Sequence, residues 1–362
     1  MAHNKITFLI VCAMLVGFFF VGHLKEVAKV YRITKAMLAG HEEDVDATFH
    51  VVHEKSRNHS PAGIRQSATD GADTSPGSSW FETQSLRKQL LKKECDLNPS
   101  LKSNLTNVIH NQKGLLRYYV VDDTYKIMYG SICKVGSTHW KSVFLVLNGK
   151  FKSVDEVPLQ IIHTDPSVKT LDQYSPAEIE HRLRNYTTFI FVRDPLSRVL
   201  SAYRNKLEEK NTYYQPRVGS RILKMYRKNP TSLELTSGVG VTFAEFLRFI
   251  TERKEGGNVD HHWRPSYQMI FPCNIRYDYI GKLERGKEDS ENILRLLKID
   301  HLVRLRDSTK NKSHTEKTLL NKYYKNIKQD YITKLYEMYA PDFKLFGYSM
   351  DTNLTQRKIL AN

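Results

Sequence analysis

A short apolar run, Ile127 to Ile132, gives way to a basic glycine turn, Lys134-Val135-Gly136-Ser137-Thr138-His139-Trp140-Lys141, and a helix-like run, Trp140 to Leu147, follows. This order constrains the fold more than any other stretch of the chain. A glycine turn between a strand and a helix start aims backbone N–H groups at an anion. Lys134 and Lys141 add positive charge beside it, and Ser137 and Thr138 add hydroxyl donors. The pattern is not the Gly-x-x-x-x-Gly-Lys-Ser/Thr loop, in which lysine directly follows the second glycine. Here Ser137 follows Gly136. Taken alone, such a loop is more often a solvated turn than a ligand cradle.

A second motif tips the reading. Thr187 to Val192 is a continuous β-branched and aromatic run, the pattern of a buried parallel strand. Arg193-Asp194-Pro195 follows at once, with proline suited to the first helical position. Leu196, Val199, Leu200 and Tyr203 then recur on one helical face. Arg193 thus stands at a strand end and Ser201 two turns into a helix. An arginine fork and a serine hydroxyl there suit a phosphate.

The run Phe191-Val192-Arg193-Asp194-Pro195-Leu196-Ser197-Arg198-Val199-Leu200-Ser201-Ala202-Tyr203-Arg204-Asn205-Lys206, about 60 residues after the first turn, resembles the second nucleotide motif of Golgi carbohydrate sulfotransferases. The likeness extends over roughly residues 115 to 350 and is similar to the chondroitin 4-O-sulfotransferases. It includes Lys169-Thr170-Leu171-Asp172-Gln173-Tyr174-Ser175, His262-Trp263, and Tyr277-Asp278-Tyr279-Ile280-Gly281-Lys282-Leu283-Glu284. Two departures are plain. The family usually has proline where this chain has Cys133, and cysteine where it has Ile270.

The resemblance implies an α/β fold with a P-loop-like parallel sheet flanked by helices. It also implies a co-substrate, PAPS (3′-phosphoadenosine 5′-phosphosulfate), and no metal. Lys134, Val135, Gly136, Ser137, Thr138 and His139 would cradle the 5′ group. Arg193, Asp194, Arg198 and Ser201 would hold the 3′ end. Lys134 would also stabilise the leaving group. A general base with a pKa near neutrality is expected to be histidine. His163, between the motifs, is the first choice, His262 the second and His139 the third. Asp165 and Glu284 could orient or replace the base.

Length and composition agree with a folded enzyme: 362 residues, 40% hydrophobic and 11% aromatic, allow one large or two small domains. The net charge of +16 favours a polyanionic partner. No Arg-Gly repeat, zinc-ligand spacing or RNA-binding signature is present, so nucleic acid is not expected. An acidic glycosaminoglycan or glycoprotein glycan fits instead, along Arg217, Arg221, Lys224 and Arg264, with Arg227 and Lys228 nearby.

Ile6 to Gly22 is an unbroken apolar stretch near the lower limit for crossing a bilayer. A cleaved signal peptide is the competing reading. The bulky Phe18-Phe19-Phe20-Val21 end favours an uncleaved anchor. Lys25, Lys29, Arg32 and Lys35 would by charge place the following segment in the cytosol. The resemblance, with five Asn-x-Ser/Thr sites, argues the reverse: a single-pass type II Golgi membrane protein with a lumenal catalytic domain. The expected organisation is a tail over 1–5, an anchor over 6–22, a stem over 23–85, a catalytic domain over 86–350 and a C-terminal tail over 351–362. Of Cys12, Cys95, Cys133 and Cys273, the last three would be lumenal. Cys95 with Cys273 is one open pairing, and sequence does not settle the connectivity.

Overall fold

The computed structural model describes residues 77–252, 259–303 and 312–349. The expected anchor, most of the stem and the C-terminal tail lie outside them. Among the described residues, no helix is long and apolar enough to cross a membrane.

Five strands form one sheet: β1 (Tyr119–Asp122), β2 (Ile127–Gly130), β3 (Lys169–Thr170), β4 (Thr187–Val192) and β5 (Tyr279–Lys282), in the order β3-β1-β2-β4-β5. β2, β4 and β5 are parallel, whereas β1 pairs antiparallel with both β2 and β3. The sheet is therefore mixed, which corrects the expectation of a parallel one. The cause is the short turn after Asp122, which can return the chain only as an antiparallel neighbour. Leu116 and Tyr118, apolar and aromatic like the strand that follows, close a 3₁₀ turn.

β4 reads as the sequence demands of a central strand: five of its six residues are buried, covered on both faces. Tyr129 stacks on Phe189, and Trp140 packs against Phe189 and Phe191. The first phosphate-motif helix, Ser137–Leu147, is thereby fastened to β2 and β4 together.

The apolar core falls into two clusters. One surrounds the sheet. The other lies among the helices Pro195–Tyr203, Phe243–Thr251, Lys312–Tyr324 and Gln329–Leu345. The last two of these helices are separated at 325–328. The second motif passes from the first core to the second at Arg193-Asp194. Phe191 and Val192 sit in the sheet cluster, and Leu196, Val199 and Leu200 in the helical one.

The outer edge of β5 is covered by the helix Ser78–Leu97. The Gln84 amide bonds both the N–H and the C=O of Ile280, doing the work of a missing sixth strand. Trp80 is buried and donates to Asp289 at 3.0 Å, and Arg87 pairs with the same carboxylate at 2.9 Å. The expected stem boundary at residue 85 thus falls inside a helix docked on the sheet. Cys95 near its end is bonded to Cys273, 178 residues away in sequence.

Candidate functional site

The C-terminal ends of β2, β4 and β5 lie side by side, the place where open α/β sheets collect ligands. After β2 the chain turns through two left-handed residues, Lys134 (φ 69°) and Gly136 (φ 85°). For lysine that conformation costs about 1–2 kcal/mol, and such strain collects where function over-determines the backbone. Gly136 caps the helix Ser137–Leu147 without any side-chain cap. A helix start without a side-chain cap is a place where backbone N–H groups can meet an anion. Val135, Ser137 and Thr138 are buried at this turn, while His139 lies half-buried with its ring edge-on to Trp140.

The second turn is built differently. Asp194 caps the helix Pro195–Tyr203 by accepting from Ser197 N at 2.9 Å, and its own N–H donates to Glu284 at 2.8 Å. Asp194, expected among the ligand-holding residues, is thus a cap. Glu284 holds this turn and also accepts from the Tyr348 hydroxyl at 3.0 Å. Arg193 and Ser201 are half-exposed.

The two turns are tied to each other. Arg193 Nη1 donates to the carbonyl of Lys134 at 3.2 Å, and Lys134 Nζ donates to Asn205 Oδ1 at 2.8 Å. Lys134 is only 3% exposed, so its ammonium lies inside the site. Asn205 reaches it because the helix widens into a π turn over Arg204–Glu208, a local irregularity frequent at functional sites. Sequence reasoning quoted Asn205 within the motif but gave it no role.

Arg198 is 0% exposed and donates to the carbonyls of His262 (3.3 Å) and Arg264. It cannot touch a ligand from there. Its work is to fix the 262–264 segment against the second motif, which corrects its expected place at the 3′ end.

Both candidate bases border the first turn. His163 lies 3.4 Å from Thr138 Oγ1 by Nε2 and 3.0 Å from Lys141 Nζ by Nδ1. An ammonium can only donate, so Nδ1 is the acceptor there. Asp165, considered as a partner for the base, instead holds Lys150 and Ser167. His262 is 3% exposed, and its Nδ1 lies 2.8 Å from Asp260 Oδ1 and 2.9 Å from the Tyr214 hydroxyl. Tyr214 also donates to Asp260 Oδ2 at 3.0 Å. Burial alone would raise the Asp260 carboxyl; the His262 hydrogen bonds and the closeness of the His262 and His261 imidazoles outweigh it and hold it well below the usual carboxylate range. With Nδ1–H given to this carboxylate, Nε2 is the acceptor nitrogen. The Asp260-x-His262 spacing was the available sequence signal for this pair. Tyr214 had none.

Three of the four expected acceptor residues converge. Arg217, Arg221 and Arg264 line one cleft of about 290 Å³, together with Arg117, Asp260 and His261. Arg117, just before β1, was not foreseen, because it reaches the cleft from a distant stretch of chain. Lys224 is exposed and outside the cleft lining, and Arg227 is bound to Glu234 and Glu245.

The sulfotransferase family model matches residues 117–349. The chain is 38% identical to carbohydrate sulfotransferase 11 of Rattus norvegicus over 246 residues, covering 66% of this chain and 69% of that one. It is 36% identical to carbohydrate sulfotransferase 14 of Danio rerio over 245 residues, 68% and 66% respectively. It is 31% identical to carbohydrate sulfotransferase 9 of Homo sapiens over 271 residues, 74% and 60%. No solved structure matches.

Proposed function

Since the chain belongs to the sulfotransferase family, we propose that it moves a sulfuryl group from PAPS to a glycan hydroxyl, the 4-position of GalNAc in chondroitin or dermatan. One observation carries the reading: two phosphate motifs end neighbouring parallel strands and are hydrogen-bonded to each other through Lys134.

In the transfer, the bond from sulfur to the phosphate oxygen breaks as a bond to the acceptor oxygen forms. The departing phosphate keeps the electron pair, and the acceptor hydroxyl gives its proton to a base. Lys134 would steady the departing charge from its buried position, and the backbone from Val135 to His139, with Ser137 and Thr138, would hold the 5′ group. Arg193 and Ser201 would hold the 3′-phosphate. Of the two bases, His262 now takes precedence over His163. Its ring is oriented by Asp260, and it lies between two residues of the arginine-lined cleft, His261 and Trp263. Arg117, Arg217, Arg221 and Arg264 would meet the carboxylates of a uronate-containing chain. The apolar stretch at 6–22 would be the membrane anchor, and the family with the five Asn-x-Ser/Thr sites supports a type II Golgi orientation.

The test is an acceptor panel with labelled PAPS: chondroitin, dermatan, a heparan precursor and GalNAc-capped glycans, followed by disaccharide analysis. Label on the GalNAc 4-position of chondroitin or dermatan is expected. Label on a terminal GalNAc or a glucuronate would replace the acceptor assignment. Chondroitin binding without transfer to any acceptor would overturn the activity.

A further inference from the structure

No zinc-ligand spacing is visible in the sequence, yet the fold brings three soft or borderline donors together. Cys133 stands one residue before Lys134, and His261 and His262 precede Trp263. Their sulfur and ring nitrogens all lie within 4.8 Å of one another. We propose that Cys133, His261 and His262 form a zinc-binding site at the edge of the donor turn.

Thiolate and imidazole are the donors zinc prefers, and hard cations such as magnesium or calcium take oxygen instead. Donors sharing one zinc at about 2.3 Å for sulfur and 2.0–2.1 Å for nitrogen lie roughly 3.5 Å apart, inside the 4.8 Å that bounds these three, so any closure needed is small. That movement falls on rotatable side chains, because Cys133 and His261 are half-buried. His262 is already fixed. Its N–H bonds Asp260 at 2.9 Å, and its carbonyl accepts from Arg198 at 3.3 Å.

A second observation points the same way. Metal-bound histidines commonly give their other ring N–H to a carboxylate, which sets the tautomer and the ring angle. His262 makes such a contact with Asp260 at 2.8 Å through Nδ1, so Nε2 is the nitrogen the ion would take. Asp260 also offsets the charge of a dication held by one thiolate and two neutral rings. Cys133 is not in a disulfide, since Cys95 and Cys273 are bonded to each other. Binding forms a sulfur–zinc bond and releases the thiol proton to solvent.

The site would act as a brake. Zinc there occupies the nitrogen that His262 would use as a base and sets a dication beside Lys134. This consequence, unlike the binding itself, rests on the sulfotransferase reading.

Cobalt(II), a spectroscopic stand-in for zinc, is titrated into the purified full chain. A saturable thiolate-to-cobalt absorption band at one equivalent, displaced by zinc, is expected. The band should vanish in Cys133→Ser, which also separates this thiol from Cys12. Asp260→Asn should weaken binding by about 10- to 100-fold. Zinc should inhibit sulfate transfer by the parent protein and spare Cys133→Ser, whose metal-free turnover matches the parent. A thiol–imidazole cluster without metal affinity gives no such band, and that result overturns the site. An equal band in Cys133→Ser does the same. If the band appears and zinc leaves turnover unchanged, the site stands and the brake falls. A protein that binds cobalt but transfers no sulfate to any acceptor leaves the site intact and refutes the sulfotransferase reading instead.

Discussion

The two phosphate-motif turns differ in what they leave open. After β2, the turn bends through left-handed Lys134 and Gly136 and enters its helix without a side-chain cap. After β4, the turn satisfies itself: Asp194 caps its helix and Glu284 takes the Asp194 N–H. The first turn offers backbone donors to an anion, and the second offers side chains, chiefly Arg193 and Ser201. A backbone cradle suits a group whose bonds are rearranged, because fixed dipoles need no reorganisation as charge grows. A side-chain grip suits an anchoring phosphate that only has to stay in place. Arg193 joins the two by holding the Lys134 carbonyl.

Substitutions test this division in order of effect. Lys134→Ala should lower kcat by about 10²- to 10³-fold, as loss of a charge-stabilising donor does. An unchanged kcat in a folded variant would remove the first turn from the chemistry. Arg193→Ala should act on binding and raise the KM for PAPS by roughly 10- to 150-fold, the worth of a hydrogen bond to a charged group. Gly136→Ala puts a side chain into the left-handed conformation and should cost about 1–2 kcal/mol of stability, with weaker PAPS binding by calorimetry. Asp194→Ala should cost about 1 kcal/mol for the lost cap and leave PAPS affinity near the parent value. A large loss of affinity there would make Asp194 a ligand after all.

Asp123, in the turn between β1 and β2, tests the far end of the sheet. Burial would raise its carboxyl, but bonds from Arg182, Tyr186 and Tyr174 prevail and hold it below the usual range. A lowered folded value means stability that is full above the unfolded value of about 3.9 and lost as pH falls through the lower folded value. Asp123→Asn should therefore lower Tm at pH 7, with the gap closing below about pH 4 and PAPS affinity unchanged. A gap that persists at pH 2 would assign the loss to packing.

Much of the site was legible because it is written in contiguous runs. Strand, turn and helix around Gly136 and around Arg193 appear in order, and the capping-box spacing of Ser175 with Glu178 and of Thr242 with Glu245 marks two helix starts. Residues that face inward were misassigned. Arg198 sits in the motif beside Arg193 and Ser201, and its spacing does not reveal that its guanidinium is buried against the carbonyls of His262 and Arg264. The sheet's mixed direction was missed because β1 and β2 look alike as isolated apolar runs.

Sequence alone determined the two strand-turn-helix units, since local φ preference, helix starts and strand runs depend on neighbours in the chain. Tertiary structure decided which distant residues complete them. Asn205 meets Lys134, Arg117 joins the arginine cleft, and Asp260 and Tyr214 orient His262 beside Cys133. These pairings span up to 147 residues, from Arg117 to Arg264, and exist because two cores pack around one seam, which no local pattern encodes.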